Sequence, residues 1–327
     1  MNHMLNNRYI VVNAIGQGGM GTVYKAQDTL LGYRLVAIKE MSQQQLTPQQ
    51  IGVAASAFKQ EADMLAGLRH PNLPSIHEHF EAAGRWYLVM ECIEGETLDD
   101  YLLAQGGKLP INEVLDIGIQ LCTVLEYLHA RQPPIIFRDL KPLNIMREPG
   151  GHLYLIDFGI ARHFKIGQAK DTNISGTPGY APPEQYGRTQ STPRTDIYSL
   201  GALLHELLSG IDPSDTPFRF SPLHLLGHSH AADLEALILM MVDLDENKRP
   251  ATMRIVQWEL QRIAGQTNTG ARSVLQPIFA QPTVSPLQMP PTSVQTPPQM
   301  QALASSAPTM QALASSAPTQ QAIAFHT

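Results

Sequence analysis

Cysteine is nearly absent from this chain, with only Cys92 and Cys122 among 327 residues. The two lie far apart, each inside an apolar run, so neither a disulfide framework nor a cysteine-based zinc site is expected. Both read as small buried hydrophobes. Long apolar runs are missing as well. No stretch is apolar for the length of a membrane span, and no basic-then-apolar signal opens the sequence, so no span is expected and a cytoplasmic location follows by default. Excess positive charge is also lacking. A net charge of -6 suits solubility and disfavours nucleic acid as a partner. His224, His228 and His230 crowd into "SPLHLLGHSH", but no cysteine or paired carboxylate accompanies them, so they are not read as metal ligands.

The last absence is regional. From Gln266 onward there is no acidic residue, and Arg272 is the one basic residue. Pro, Gln, Ser, Thr and Ala dominate, "MQALASSAPT" begins at Met300 and again at Met310, and a decayed copy, "QQAIAFHT", closes the sequence. Such a composition buries too little apolar surface to offset its conformational entropy, so 265–327 is expected to be a disordered tail.

What remains, 8–264, looks folded and divides by pattern. "YIVVNAIG", "TVYKAQ", "YRLVAIKE" and "WYLVMEC" are β-branched or aromatic-rich and read as strands. Between them Phe58, Ala62, Leu65 and Leu68 mark one face of a helix. After Gly95 the character turns helical: Val114, Ile117, Leu121, Val124, Leu125 and Leu128 keep helical spacing after Pro110, and "DIYSLGALLHELLSG" is apolar nearly all round. The expectation is an α+β, bilobal chain: a small antiparallel-sheet lobe with one main helix over 8–93, then a larger, mainly helical lobe over 94–264.

Several short motifs carry chemistry. Gly16, Gly18 and Gly21 stand in G-x-G-x-x-G spacing directly after the first strand, where glycine lets backbone N–H groups approach phosphate oxygens. A dinucleotide fold uses the same spacing but opens a helix at the last glycine; here "TVYKAQD" alternates and is β-branched, which favours a strand–turn–strand loop over a nucleotide. "VAIK" puts Lys39 on a core strand, where a buried cation needs an anionic partner, and Glu61 on the inner face of the helix is positioned to supply it. In "IIFRDLKPLNIM", Asp139 can take the proton of an attacking hydroxyl, Lys141 can neutralise a transferring phosphoryl group, and Asn144 can hold a cation. Asp157 in "LYLIDFG" adds a second hard oxygen ligand of the kind Mg²⁺ prefers.

In this order and context, the motifs resemble the eukaryotic-like (Hanks-type) serine/threonine protein kinase family over 8–264, and phrases such as "GQGGMGTVYKA" and "DFGIARHF" look bacterial. The resemblance implies a kinase fold, ATP as phosphoryl donor with Mg²⁺ (Mn²⁺ as an alternative), protein substrates, and self-association for autophosphorylation in trans. It implies that Val23, Ala37, Met90, Glu91 and Cys92 join the glycines and Lys39 around the nucleotide. Asp196 would brace the catalytic loop, and Arg249 would pair with Glu184 at the end of the activation segment. Thr177 would contact Asp139 and Lys141, which with Lys141 itself is the serine/threonine pattern, and it is also a candidate for regulatory phosphorylation. Arg138 would be neutralised by a phosphate on Thr172 or Ser175.

Two positions depart from the family pattern. Phe137 stands where His is commonest; that position is architectural, and Phe137 would stack in a column with Leu65, Ile76 and Phe158, losing one hydrogen bond while keeping the catalytic groups. Pro182 adds a second proline before Glu184 without removing it. Leu143 replaces a glutamate that many basophilic relatives carry, so no basic substrate motif is implied. Glu94, Glu96, Asp99 and Asp100 read as a solvated helix start. A nucleotide-binding scaffold without transfer, and a small-molecule kinase, are the alternatives; the retained Asp139, Asn144 and Asp157 weigh against the first, and Thr177 with Glu184 against the second.

Overall fold

Alternation of apolar and polar residues in the first ninety positions produces one antiparallel sheet in the order β1-β2-β3-β4-β6-β5. The computed structural model describes residues 4–18, 21–41, 48–157, 176–186, 191–225 and 230–265. The strands are β1 (Met4–Leu5), β2 (Tyr9–Gly18), β3 (Gly21–Asp28), β4 (Arg34–Met41), β5 (Ile76–Ala82) and β6 (Arg85–Glu91), with helix α1 (Pro48–Ala66) between β4 and β5. Pleating sorts their side chains. Tyr9, Ala26, Val36, Ile38, Tyr87 and Val89 form a small core on one face. On the other, Trp86 and Leu88 join Phe58, Ala62 and Leu65 of α1 in the main core. The sequence did not announce the two-residue β1, which precedes the expected start at residue 8, nor β5, where "IHEHFEA" carries His and Glu at half-buried edge positions that mask its period.

The second half begins with β7 (Glu96–Thr97) and α2 (Leu98–Ala104), followed by α3 (Ile111–His129) and the short strands β8 (Ile145–Arg147) and β9 (Leu153–Leu155). Then come α4 (Pro183–Tyr186), α5 (Pro193–Ser209), α6 (Ala231–Met241) and α7 (Met253–Ile263). Thr97 caps α2 through the backbone N–H of Asp100, with Asp99 and Asp100 in the first turn, so the acidic run there is a helix start. α3 buries the stripe from Val114 to Leu128 that its spacing predicted.

α5 is the central pillar. A reciprocal capping box between Thr192 and Thr195, with Pro193 at the first turn, starts it, and Gly210 in the left-handed region at φ 71° ends it. Every residue from Thr195 to Leu208 is buried. Cys122 is buried on α3, and burial pushes its thiol up. Cys92 departs from the expectation: it is only half-buried, because it follows the last residue of β6, where the chain leaves the sheet. Among the described residues no helix is long and apolar enough to cross a membrane, and no cluster of ligating side chains could hold a metal on its own. His228 and the tail from Gln266 lie outside the described residues.

Candidate active site

The antiparallel register gathers one group of expected site residues on a single sheet face. Gly16 pairs with Val23, Val23 with Lys39, and Ala37 with Met90, while Ala37 and Lys39 are two apart on β4. Directly opposed residues, and residues two apart, share a face, so these five point the same way. Gly18 pairs with Gly21 where the hairpin turns back, as a strand–turn–strand loop requires. Glu91 differs: it is paired with Val36 and so belongs to the opposite face, its N–H donates to Ser75 O, and its carboxylate accepts from Ser75 N.

Lys39 is buried, and the anion that compensates it is Asp157, which accepts a hydrogen bond from its ammonium. Sequence reasoning nominated Glu61 for this role; Glu61 lies on α1, but its side chain is outside the described residues. Asp157 takes a left-handed backbone at φ 65° just past β9, whose pairing with β8 brings it beside Asn144, and Ile156 N donates to Asn144 O at 2.9 Å.

The loop Phe137–Asn144 is held from below by α5. The Asp196 carboxylate, 0% exposed, accepts the backbone N–H of Phe137 at 2.9 Å and of Arg138 at 2.8 Å, and pairs with His129 Nε2 at 2.7 Å. These bonds fix Arg138 in the left-handed region at φ 69°, so that Asp139 turns up into the site. Phe137 is buried, as are Leu65 and Ile76, within one large core; Phe158, the fourth residue of the expected column, is outside the described residues.

Both oxygens of Asp139 are held. Asn144 Nδ2 donates to Oδ2 at 2.9 Å and to the Asp139 carbonyl at 2.7 Å, and Thr177 Oγ1 donates to Oδ1 at 2.9 Å. Lys141 Nζ stands 3.4 Å from Oδ2 and donates to Thr177 Oγ1 at 2.8 Å. Asn144 Oδ1 enters no hydrogen bond among the described residues. With the Asp157 carboxylate it makes a hard-oxygen donor set beside a buried lysine, chemistry that fits a divalent cation and the phosphates it accompanies.

Among the described residues the Arg138 Nε, shut off from solvent, has no hydrogen-bond partner, while the Arg138 carbonyl accepts from Gln185 Nε2 at 3.1 Å. Thr172 and Ser175, the acceptors nominated to meet it, are outside the described residues.

The segment after Thr177 is tied down at both ends. Arg249, its side chain 0% exposed, reaches Glu184 with Nη1 at 2.6 Å and Nη2 at 2.9 Å. Its Nη1 and Nε also donate to the carbonyls of Arg194 and Asp243, and its guanidinium lies over the Tyr198 ring. Gly179, at φ 85°, lies so near the backbone of Pro213 that a β-carbon would stand 2.3 Å from its carbonyl carbon, so no other residue fits.

Two anchors here have no sequence signal. Ser199 Oγ donates to Tyr180 O at 2.9 Å, and Tyr180 Oη donates to Glu206 Oε2 at 2.5 Å. Burial pushes Glu206 up to about 7, with the carboxylates of Asp212 and Asp99 adding to the shift and the Tyr180 hydroxyl opposing it. The folded state therefore holds this proton more tightly than the unfolded chain. Its contribution to stability is full below the ordinary glutamate range and is lost as pH rises through about 7. Glu206→Gln keeps an acceptor for Tyr180 and removes the titration. It is expected to stabilise the protein at pH 8 by roughly 1–3 kcal/mol relative to its effect at pH 5, read as melting temperatures at both pH values; parallel curves for the two proteins would refute this.

Comparison with known proteins adds a family to this geometry. Residues 9–260 match the protein kinase domain. The chain is 36% identical over 210 residues to "Probable serine/threonine-protein kinase PknB" of Lactococcus lactis, covering 64% of this chain and 32% of that protein. It is 37% identical over 212 residues to "Serine/threonine-protein kinase PrkC" of Bacillus subtilis, with 64% and 32% covered. It therefore spans about a third of the length of these relatives. Among solved structures, "PpkA-294 apo form" superposes with a TM-score of 0.62 at 28% identity, covering 80% of this chain and 98% of that one. A mutant Mycobacterium tuberculosis PknI kinase domain superposes at 0.63 and 24% identity, covering 81% and 99%, a likeness of fold.

Proposed function

Since the chain belongs to the protein kinase family, we propose that it is an active serine/threonine protein kinase, which transfers the γ-phosphoryl group of ATP to hydroxyls of protein substrates. One observation carries the reading: the Asp139 carboxylate is gripped by Asn144 and Thr177 with Lys141 alongside, a preorganised acceptor for a hydroxyl proton with a cation beside it. Little covalent chemistry is asked of the protein in phosphoryl transfer; position and charge do most of the catalysis.

Asp139 orients the attacking hydroxyl and takes its proton. Lys141 neutralises charge gathering on the transferred group, and Lys39, with Glu61 as its further partner, holds the donor phosphates. Gly16, Gly18 and Gly21 bring backbone N–H groups over those phosphates, and Val23, Ala37, Met90, the Glu91 carbonyl and Cys92 line the nucleotide base. Asn144 and Asp157 would hold Mg²⁺, or Mn²⁺ in its place, which supplies electrostatic neutralisation of the phosphates when bound. Phe137 keeps the loop seated through its buried ring and its backbone bond to Asp196, and the loop is a working one.

Control follows from Arg138. Its Nε, buried and without a partner among the described residues, supports a role as receptor for a phosphate on Thr172 or Ser175, placed there by a second copy of the chain in a transient pair. Thr177 is structural, because its hydroxyl is already engaged on both sides. The cytoplasm is the proposed location, since it supplies ATP. Boundaries at 8–93 and 94–264 for the two lobes, with 265–327 as a tail, complete the proposal.

Intact mass of the purified chain after incubation with Mg-ATP, beside an Asp139→Asn control, tests the reading. Phosphate should appear in the wild type only; an unchanged mass, together with failure to label a generic protein substrate, would overturn it. A finer expectation concerns Thr177. Thr177→Val removes both of its hydroxyl bonds and should lower kcat by about tenfold to hundredfold, each such bond to a charged group contributing roughly 1.5–3 kcal/mol. Thr177→Ser should stay within a few-fold of wild type; equal loss in the two variants would sink this role.

A further inference from the structure

We propose that Gln185 is a positioning residue for the catalytic base: its buried amide holds the Arg138 carbonyl and so sets the direction in which Asp139 points. The inference rests on the protein kinase reading above and deepens it. The segment after Thr177 acts on Asp139 from both of its ends, through Thr177 and through Gln185.

The backbone before Asp139 shows why such a hold is needed. Arg138 sits at φ 69°, a left-handed conformation that side chains disfavour. It persists only where the surrounding bonds over-determine it. The Asp196 carboxylate supplies two of them, accepting the N–H groups of Phe137 and Arg138. Both fix the chain on its way into Arg138. The peptide group that leads out, to Asp139, is met at its carbonyl by Gln185 Nε2 at 3.1 Å. Rotation of that group swings Asp139, so the amide acts where the direction of the carboxylate is decided. A carbonyl can only accept, which turns the N–H₂ of Gln185 toward Arg138. Oε1 is left on the side of Gly176, where a β-carbon would stand 3.5 Å from it.

The turn that carries Gln185 is itself anchored. α4 follows Pro182 and begins at Pro183, and its side chains leave in different directions. Glu184 is bound by both Nη groups of Arg249, and the Tyr186 ring stands edge-on to Phe218 with centroids 5.6 Å apart. Gln185 N donates to Pro182 O at 3.0 Å. Gln185 is 4% exposed, so water has little access to its amide and cannot readily replace the bond. With 176–186 seated, Thr177 holds Oδ1 of Asp139 and Gln185 holds the backbone just before it. With the segment displaced, both bonds are lost together and Arg138 can leave the left-handed region. The order of the segment is thereby read at the base.

Gln185→Met keeps the length of the side chain and removes the donor. With Mg-ATP and myelin basic protein as acceptor, it should lower kcat about fivefold to twentyfold, the cost of one unmade buried hydrogen bond. The KM for ATP should be unchanged, because Lys39 and Asp157 form a separate pair. Added to Asp139→Asn, the same substitution should cost less than about twofold, since the base that it positions is gone. A residue that merely supports the fold would cost the same in both backgrounds. Gln185→Glu, equal in size and acceptor-only when ionised, should lose activity as Gln185→Met does. Wild-type kcat in either variant, a rise in the ATP KM in step with the loss, or an equal loss in both backgrounds overturns this inference and leaves the kinase reading standing. No transfer by the wild type overturns both.

Discussion

Replacing Asp139 with Asn is expected to lower kcat by roughly 10²–10⁴-fold, the range for removing a general base, with nucleotide affinity close to wild type. The substitution is isosteric, and the side chain sits in a fully formed cage. Asn144 Nδ2 faces Oδ2 and Thr177 Oγ1 faces Oδ1. An amide can satisfy one of those donors and must turn an N–H₂ group toward the other, so a modest local loss of stability accompanies the loss of the proton acceptor. Lys39 and Asp157 belong to a separate pair and should be untouched, which is why ATP binding is expected to survive. Steady-state kinetics with a protein substrate check it: kcat and kcat/KM should fall together, the mark of an interaction made in the transition state. A rise in KM alone would place Asp139 in binding rather than catalysis.

Arg249→Ala should cost roughly 3–5 kcal/mol, the penalty for breaking a buried ion pair and leaving one charge stranded. The guanidinium makes two bonds to Glu184 and donates to the carbonyls of Arg194 and Asp243, all from a site closed to solvent. Removing it strands the Glu184 carboxylate, whose side chain is 9% exposed, and opens a cavity under Tyr198. Against a total stability of about 5–15 kcal/mol, the loss should lower the melting temperature by about 10 °C, at ~2–4 °C per kcal/mol for domains of this size. The double variant Arg249→Ala, Glu184→Gln should be less destabilised than the sum of its singles, because no charge is left stranded. Thermal melts of the three proteins decide the matter; additive losses would mean that the pair is not coupled.

Much of this site was legible because its parts are short-range. Asp139, Lys141 and Asn144 share one loop, and the glycines of the β2–β3 hairpin announce a turn whose continuation as a strand is visible in "TVYKAQD". The roles implied for Asp196, Thr177 and the Glu184–Arg249 pair each correspond to a bond of the expected kind. What could not be read is long-range. Nothing in the sequence says that Glu206 will meet Tyr180, that Ser199 will hold its carbonyl, or that His129 will share Asp196 with the loop. All three arise because α5 is buried from Thr195 to Leu208, and a buried stretch must satisfy its polar side chains from its neighbours. Lys39 shows the same limit. The sequence says that a buried cation needs an anion, while only the fold reveals that Asp157 supplies one. Glu91 and β5 show another: an edge strand with charged residues on its half-buried side hides both its period and the partner to which it commits a neighbour's N–H.

The decisive measurement is a single-turnover experiment: excess wild-type chain, γ-labelled ATP with Mg²⁺, and a generic protein acceptor, with bound nucleotide and transferred phosphate counted in the same sample. A working loop with Phe137 at its base transfers the label to serine or threonine of the acceptor. Stoichiometric binding of ATP with no label transferred would show instead that the loop is a nucleotide-holding remnant.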